Sequence, residues 1–220
     1  MPRESQARRR ARADLIRERL RLTYPDARCE LNYSSPLELL VATILSAQCS
    51  DKQVNRLTAD LFQKYRSAQD YAAAPRAELE DDLRRIGLFR NKARSLRGCC
   101  RRLVEEHGGQ VPDALGTLTQ LAGVGRKTAN VVLGNAFGRN EGVVVDTHVA
   151  RLTRRLALSR ATQPERIERD LMALLPQEEW TLWSHQLIAH GRRRCPARKP
   201  DCAGCELRTW CPTGQAQGDR

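Results

Sequence analysis

The 220-residue sequence predicts an all-α protein. Apolar residues recur at three- and four-residue spacing along most of the chain, the period of one helix face. Helix-start and helix-stop signals punctuate these segments, as at Ser35-Pro36 and Gly108-Gly109. No stretch alternates convincingly as a strand would, and Val143 to Val145 is too short to need a sheet.

Taken in order, residues 14–22 carry Leu15, Ile16 and Leu20 at helical spacing, and Pro25 ends the segment. Ser35 is placed to cap a second helix, with Pro36 in its first turn and Glu38 completing the start signal. Its stripe runs through Leu40, Val41, Ile44 and Leu45. Further helices are expected over 52–65, 77–86 and 91–106, the last stopped by Gly108-Gly109. Val111-Pro112-Asp113 opens another, ending in the glycines after Leu121. The remainder are expected over 126–137, 147–156, 164–174 and 178–190. After Gly191 the periodicity gives way to a basic, cysteine-rich tail, and 213–220 are expected to fray. Residues 139–142 are polar and turn-like, a boundary between two helical halves.

Composition narrows the partners. Thirty-eight basic and 26 acidic side chains give a net charge of +12 and a pI near 9.9. Such a balance attracts polyanions, of which nucleic acid is the commonest, although charge alone fits any generally basic protein. The Arg-rich start (Arg3, Arg8, Arg9, Arg10, Arg12) lacks the apolar stretch of a secretory signal, and no segment is long enough to span a membrane. Glu4 and Asp14 weaken an organelle transit peptide without removing the option. A cytoplasmic location follows, where the eight cysteines are not expected to pair as disulfides.

The most informative stretch runs from Leu115 to Leu133. Leu115, Leu118 and Leu121 form one apolar face, and Val131, Val132 and Phe137 another. Between them Gly123-Val124-Gly125 makes a turn whose bare backbone lets N–H groups approach a phosphate. The helix that follows adds its positive N-terminus, a ready anion site. A tight turn between packed helices would look the same, so the glycines alone carry little. Lys127 adds specificity. In the first turn of that helix the dipole disfavours a cation, which helps an amine stay neutral and nucleophilic; a phosphate-binding lysine is the alternative. Asp146 precedes a helix and suits an N-cap, or a carboxylate serving Lys127. His148 suits a phosphate contact or an ordinary helix surface.

Cys195-x6-Cys202-x2-Cys205-x5-Cys211 is a metal-ligand pattern, and spacing alone leaves zinc and an iron–sulfur cluster both open. Cys29, Cys49, Cys99 and Cys100 have no such spacing and read as packing residues or exposed thiols.

Together Leu-Ala-Gly-Val-Gly-Arg-Lys-Thr-Ala-Asn-Val-Val-Leu (121–133), Val-Asp-Thr-His-Val-Ala-Arg (145–151), Leu45-Ser-Ala-Gln48-Cys-Ser-Asp51 and Ile86-Gly-Leu88-Phe-Arg-Asn-Lys-Ala93 resemble the endonuclease III branch of the helix-hairpin-helix DNA glycosylase superfamily. The similarity spans about residues 14 to 212, with Ala122 where the family's hairpin usually carries proline. The resemblance implies a helical barrel domain over 30–140 that contains the hairpin. It also implies an iron–sulfur cluster domain from 1–29 and 141–220, with a 4Fe–4S centre on Cys195, Cys202, Cys205 and Cys211. DNA would lie between the halves, touching Gly123, Gly125, Arg126, His148, Arg198 and Lys199. Gln48 and Leu88 would fill the space left by an extruded nucleotide. Lys127 would attack the sugar and Asp146 assist. The implied activity is base-excision repair: removal of oxidised pyrimidines and cleavage of abasic sites by β-elimination through a lysine Schiff base. The partner would be double-stranded DNA carrying such damage, the protein a monomer, the setting a bacterial nucleoid. A monofunctional relative would lack Lys127, and a non-catalytic DNA-binding module would leave Lys127, Asp146 and the cysteines unexplained.

Overall fold

The computed structural model describes residues 4–217, so Arg3 of the basic start and residues 218–220 of the tail lie outside the described residues. Among the described residues every regular element is helical. The chain divides into two compact units, one formed by Cys29–Arg139 and the other by Met1–Arg28 with Asn140–Arg220.

Helix α1 (Gln6–Thr23) begins at Gln6, not at residue 14 as the apolar spacing suggested. Ser5 caps it by accepting from the Arg8 N–H, and arginine is itself a good helix former. Arg12 explains why the polar start is ordered. Its guanidinium meets both carboxylate oxygens of Glu4, at 2.9 and 2.8 Å, and the carbonyls of Leu156 and Trp210 at 2.6 and 3.1 Å.

Within residues 29–139 follow α2 (Pro36–Leu45), α3 (Asp51–Lys64), α4 (Ala68–Ala73), α5 (Arg76–Asp82), α6 (Phe89–His107), α7 (Leu115–Leu118) and α8 (Arg126–Ala136). Helix α2 starts where the sequence indicated, with Ser35 accepting from the Glu38 N–H and Pro36 in the first turn. Leu39 through Leu45 are all buried, which makes α2 the central helix of this unit. Helix α4 was not anticipated. A reciprocal capping box between Ser67 and Asp70 starts it, and Tyr71 stacks on Tyr65 at 4.9 Å. Helix α5 stops at Asp82 rather than 86, while Leu83 and Ile86 stay buried in the turns that follow. The helix expected after Pro112 shrinks to the single turn α7. Gly116 and the threonines beside it are poor helix formers, and the Thr119 hydroxyl bonds back to the carbonyls of Leu115 and Gly116.

The other unit continues with α9 (Thr147–Arg155), α10 (Pro164–Met172), a 3-10 turn (Gln177–Glu179), α11 (Trp180–Arg193), a second 3-10 turn (Arg208–Trp210) and α12 (Pro212–Gln217). Its core joins Ala13, Ile16 and Leu20 of α1 to Leu152, Leu171, Trp183 and Leu187. Helix α11 outruns its expected end at His190. At Gly191 a Cβ would stand 2.8 Å from Nδ1 of His148, so the missing side chain lets α9 and α11 approach. As far as Gln217 the tail expected to fray from Thr213 is instead helical. The Thr213 hydroxyl donates to the Arg155 carbonyl at 2.9 Å, which ties α12 to the end of α9.

Ala157 ends α9 in the left-handed conformation (φ +51°), and the Leu158 N–H returns to the Thr153 carbonyl at 3.0 Å. That is the helix-stop geometry glycine favours. Ala157→Gly is therefore expected to raise stability by about 1 kcal/mol, the relief of a left-handed Cβ, read as a higher urea midpoint at unchanged slope. A lowered midpoint would mean that the Ala157 methyl contributes more by packing than its conformation costs.

Candidate functional site

The turn between α7 and α8 is built on one close approach. Gly123 has φ +76°, and a Cβ there would lie 2.7 Å from Cβ of Ser95 on α6. Both the conformation and the space demand glycine. Val124 and Ala129 are buried on either side of the helix start and anchor the turn. Gly125 occupies the cap position of α8 and contributes no side-chain cap. Gly125, Arg126 and Lys127 are all exposed there. Lys127 lies in the first turn and forms no hydrogen bond or ion pair among the described residues. An exposed amine beside the positive end of a helix, with no carboxylate to hold it, is available to an anion or an electrophile.

Two side chains of the same unit share an uncommon backbone. Gln48 and Leu88 have φ +53° and +59°, and both are exposed, Leu88 by 51%. Among the described residues the only other non-glycine residues with positive φ are Ala157 and Lys199. Ala157 is accounted for by its helix stop; no such cap explains Gln48, Leu88 or Lys199. Strain of this kind persists where surroundings hold it, and it concentrates at binding sites. The two turns are joined by Gln53, which sequence reasoning passed over. Its amide N–H donates to the Arg85 carbonyl at 2.8 Å, and its amide oxygen accepts from the Cys49 thiol at 3.3 Å. Neither Gln48 nor Leu88 is a usual left-handed residue, so the sequence carried no backbone signal for them.

In the other unit Asp146 caps α9, its Oδ1 accepting from the Val149 N–H at 2.8 Å. No hydrogen bond engages its second oxygen among the described residues. His148 is half-buried, 3.1 Å from a guanidinium nitrogen of Arg151, and burial pushes its imidazole below the ordinary range. Arg151 also donates to the carbonyls of Gly191 and Cys195 at 3.1 and 3.0 Å.

The structure brings Cys195, Cys202, Cys205 and Cys211 together as the lining of one small pocket. Three of the sulfurs receive donors: Arg155 Nη1 to Cys195 at 3.0 Å, the Leu207 N–H to Cys205 and the Gly214 N–H to Cys211, both at 3.4 Å. The Tyr24 hydroxyl and Nδ1 of buried His190 share a hydrogen bond of 2.9 Å, and His190 Nε2 lies 3.6 Å from the Cys205 sulfur. Burial holds that imidazole neutral, down to about 4, and pushes the Cys205 thiol up to about 11. Arg155 further donates to the carbonyls of Pro196 and Ala197 at 2.8 and 2.9 Å, so the exposed Arg198 and Lys199 sit on a loop held at its root. Of the remaining cysteines, Cys99 and Cys100 are buried, Cys29 and Cys49 half-buried, and none is in a disulfide. No helix among the described residues is long and apolar enough to cross a membrane.

Residues 41–177 match the family model described as HhH-GPD superfamily base excision DNA repair protein. The chain is 53% identical over 197 residues to "Endonuclease III" of Synechocystis sp., covering 90% of each chain. Its fold is similar to that in "Structure of a non-covalent Endonuclease III-DNA Complex", with a TM-score of 0.91, 42% identity, and coverage of 96% of this chain and 99% of that one. It is equally similar to "Structure of a Trapped Endonuclease III-DNA Covalent Intermediate: Estranged-Adenine Complex", with a TM-score of 0.91, 43% identity, and coverage of 95% and 98%.

The two hairpin glycines should respond differently to alanine. A Cβ at Gly125 meets nothing within 4 Å, and its φ is ordinary, whereas Gly123 has neither freedom. Gly123→Ala is expected to cost about 2–3 kcal/mol and Gly125→Ala well under 1 kcal/mol, measured by urea unfolding. Equal losses would show that the Ser95 contact relaxes and does not fix the turn.

Proposed function

The chain belongs to the HhH-GPD superfamily of base excision DNA repair proteins, and from that premise we propose that it is a bifunctional DNA glycosylase and abasic-site lyase whose nucleophile is Lys127. The observation that carries this reading is the exposed, unpaired amine at the start of α8, directly after the Gly123-Val124-Gly125 turn. Its substrate is duplex DNA with an oxidised pyrimidine or an abasic site. The chain acts as a monomer, in the cytoplasm of a bacterial cell. The similar fold of an endonuclease III trapped as a covalent intermediate with DNA supports covalent chemistry.

In this mechanism the hairpin's N–H groups, with Arg126, bind phosphate, and Arg198 and Lys199 do the same from their loop. These contacts position the duplex without reading its bases. The damaged nucleotide leaves the stack because C1′ is unreachable inside it. Gln48 and Leu88 fill the vacancy, a role suited to exposed side chains held in strained turns. The Lys127 amine forms a bond to C1′ while the bond from C1′ to the base breaks, and the base leaves with a proton. Loss of the amine proton and opening of the sugar ring give an imine. That imine acidifies the 2′ hydrogen, whose removal expels the 3′ phosphate and cuts the strand. Asp146, with one oxygen committed to its helix cap, offers the other to the proton transfers or to the developing positive charge. His148 lends its imidazole edge to a phosphate.

For the four tail cysteines we propose a 4Fe–4S centre. The four thiols line one pocket, three of them accept a hydrogen bond at sulfur, and their spacing resembles the endonuclease III cluster motif. When bound, such a centre supplies metal–thiolate bonds that hold a tail poor in apolar side chains.

Borohydride is expected to trap a covalent complex of the intact protein with an abasic duplex. Lys127→Ala should form none, and its strand cleavage should fall by about 10³-fold or more while duplex binding persists. Undiminished trapping by the variant would move the nucleophile elsewhere.

The purified protein is expected to be brown and to contain about four irons per chain, and Cys202→Ser should yield little soluble protein. Stoichiometric zinc without iron in anaerobically prepared protein would replace the cluster assignment.

A further inference from the structure

Arg151 holds more than the cysteine tail. It lies three residues after His148 on one face of α9, and its Nη2 meets Nδ1 of that ring at 3.1 Å. The same Nη2 reaches the carbonyls of Gly191 and Cys195 at 3.1 and 3.0 Å, so the guanidinium is itself held while it holds the ring. Both side chains press on bare backbone of α11: a Cβ at Gly191 would stand 2.8 Å from Nδ1 of His148 and 3.0 Å from Nη2 of Arg151. A guanidinium carries donors only, and a neutral imidazole has one N–H and one lone pair. An N–H on Nδ1 would set proton against proton, so Nδ1 presents the lone pair and the proton resides on Nε2. Burial, with Arg151 and Arg192, pushes the imidazole below its ordinary range against the pull of Asp146 and the Gly191 carbonyl. Nε2 forms no hydrogen bond among the described residues and is not sealed from solvent.

We propose that Arg151 is a positioning residue for DNA contact: it fixes His148 in a single neutral tautomer, leaving Nε2–H as an uncharged donor to a phosphate oxygen. Such a donor differs from the arginines and lysines that surround it in the sequence. It adds affinity and orientation without displacing a counterion, so it contributes nothing to the salt dependence of binding. His148 stands two residues past Asp146, whose second oxygen is uncommitted. A neutral ring places a phosphate there without bringing a cation that would compete for that oxygen. The phosphate contact rests on the role proposed above for His148; the tautomer and its dependence on Arg151 do not.

The test reads the four histidine rings of the full-length, iron-loaded protein by long-range nitrogen–proton correlation NMR, with His148 assigned by its loss in His148→Gln. In the parent, Nδ1 of His148 is expected at the shift of a lone-pair nitrogen and Nε2 at that of an N–H. In Arg151→Met, at equal iron content, both should move toward the average of two exchanging tautomers. A proton on Nδ1 or on both nitrogens of the parent, or unchanged shifts in Arg151→Met, overturns the proposal; the parent spectrum decides even where the variant folds poorly. In parallel, affinity for one undamaged duplex is titrated against salt. His148→Ala should bind about tenfold more weakly, the loss of one hydrogen bond to a charged group, and His148→Gln, which keeps a neutral donor, within about twofold of the parent. Arg151→Met should bind about threefold more weakly, because only part of its molecules present the donor. The slopes of parent, His148→Ala and His148→Gln should be parallel, and a slope shallower by about 0.9 in His148→Gln would reveal a charged ring and overturn the proposal. The expected tautomer with undiminished binding by His148→Ala upholds the action of Arg151 on the ring and overturns instead the phosphate contact.

Discussion

The meeting of Gly123 with Ser95 is the contact on which the candidate site of residues 29–139 hangs. A Cβ built at Gly123 finds Ser95 of α6 at 2.7 Å and Ile44 of α2 at 3.7 Å. Those two helices carry the other unusual turns of this unit: α2 leads into Gln48, and α6 begins at Leu88. Donor groups at the head of α8, a polar side chain and an apolar one are therefore all referred to the same packed surface. Because α2 is buried throughout from Leu39 to Leu45, that surface is rigid, and a protein interior transmits displacement rather than absorbing it. Geometry of this kind is what a site needs when its groups act on a substrate that must be deformed to react.

The second unit solves a different problem, the ordering of a polar tail. Arg151 and Arg155, one turn apart on α9, use their guanidiniums to collect the carbonyls of Gly191, Cys195, Pro196 and Ala197. Planar, always charged donors that span several acceptors do this with little loss of freedom per bond. The end of the same helix is then covered from the other side, by Thr213 on the Arg155 carbonyl and by Arg12 on that of Leu156. The prevalence of arginine over lysine in the composition thus has a structural component alongside any attraction to nucleic acid.

Much of this was legible in the sequence. The hairpin declared itself because Gly-Val-Gly and the following lysine are local signals, and the cysteine spacing because ligand patterns are local too. Helix α2 was announced by Ser35, Pro36 and its apolar stripe. Where the sequence misled, the deciding interactions were distant or weak in pattern. The start of α1 depends on Arg12 reaching Trp210, a partner 198 residues away. Helix α4 is too short to show a period, although its Ser67-x-x-Asp70 capping signal was there to be read. The left-handed turns at Gln48 and Leu88 had no signal at all, since neither residue is chosen for that conformation. Gln53 came into view only when its neighbours did.

The division of the chain has a consequence for how it is made. Residues 29–139 are continuous, so every contact of that unit is available while the rest is still being synthesised. Helix α1 leaves the ribosome before that unit, yet its core partners Leu152, Leu171, Trp183 and Leu187 and the Trp210 carbonyl come more than a hundred residues later. Closing so long a loop costs entropy that only the completed tail offsets. The Arg-rich helix therefore waits, strongly cationic, until those partners emerge. All four clustered cysteines fall after residue 194, so this half can be assembled only after the hairpin unit has been made. A synthesis interrupted between the two units would leave the hairpin without Asp146, the four clustered cysteines and their loop.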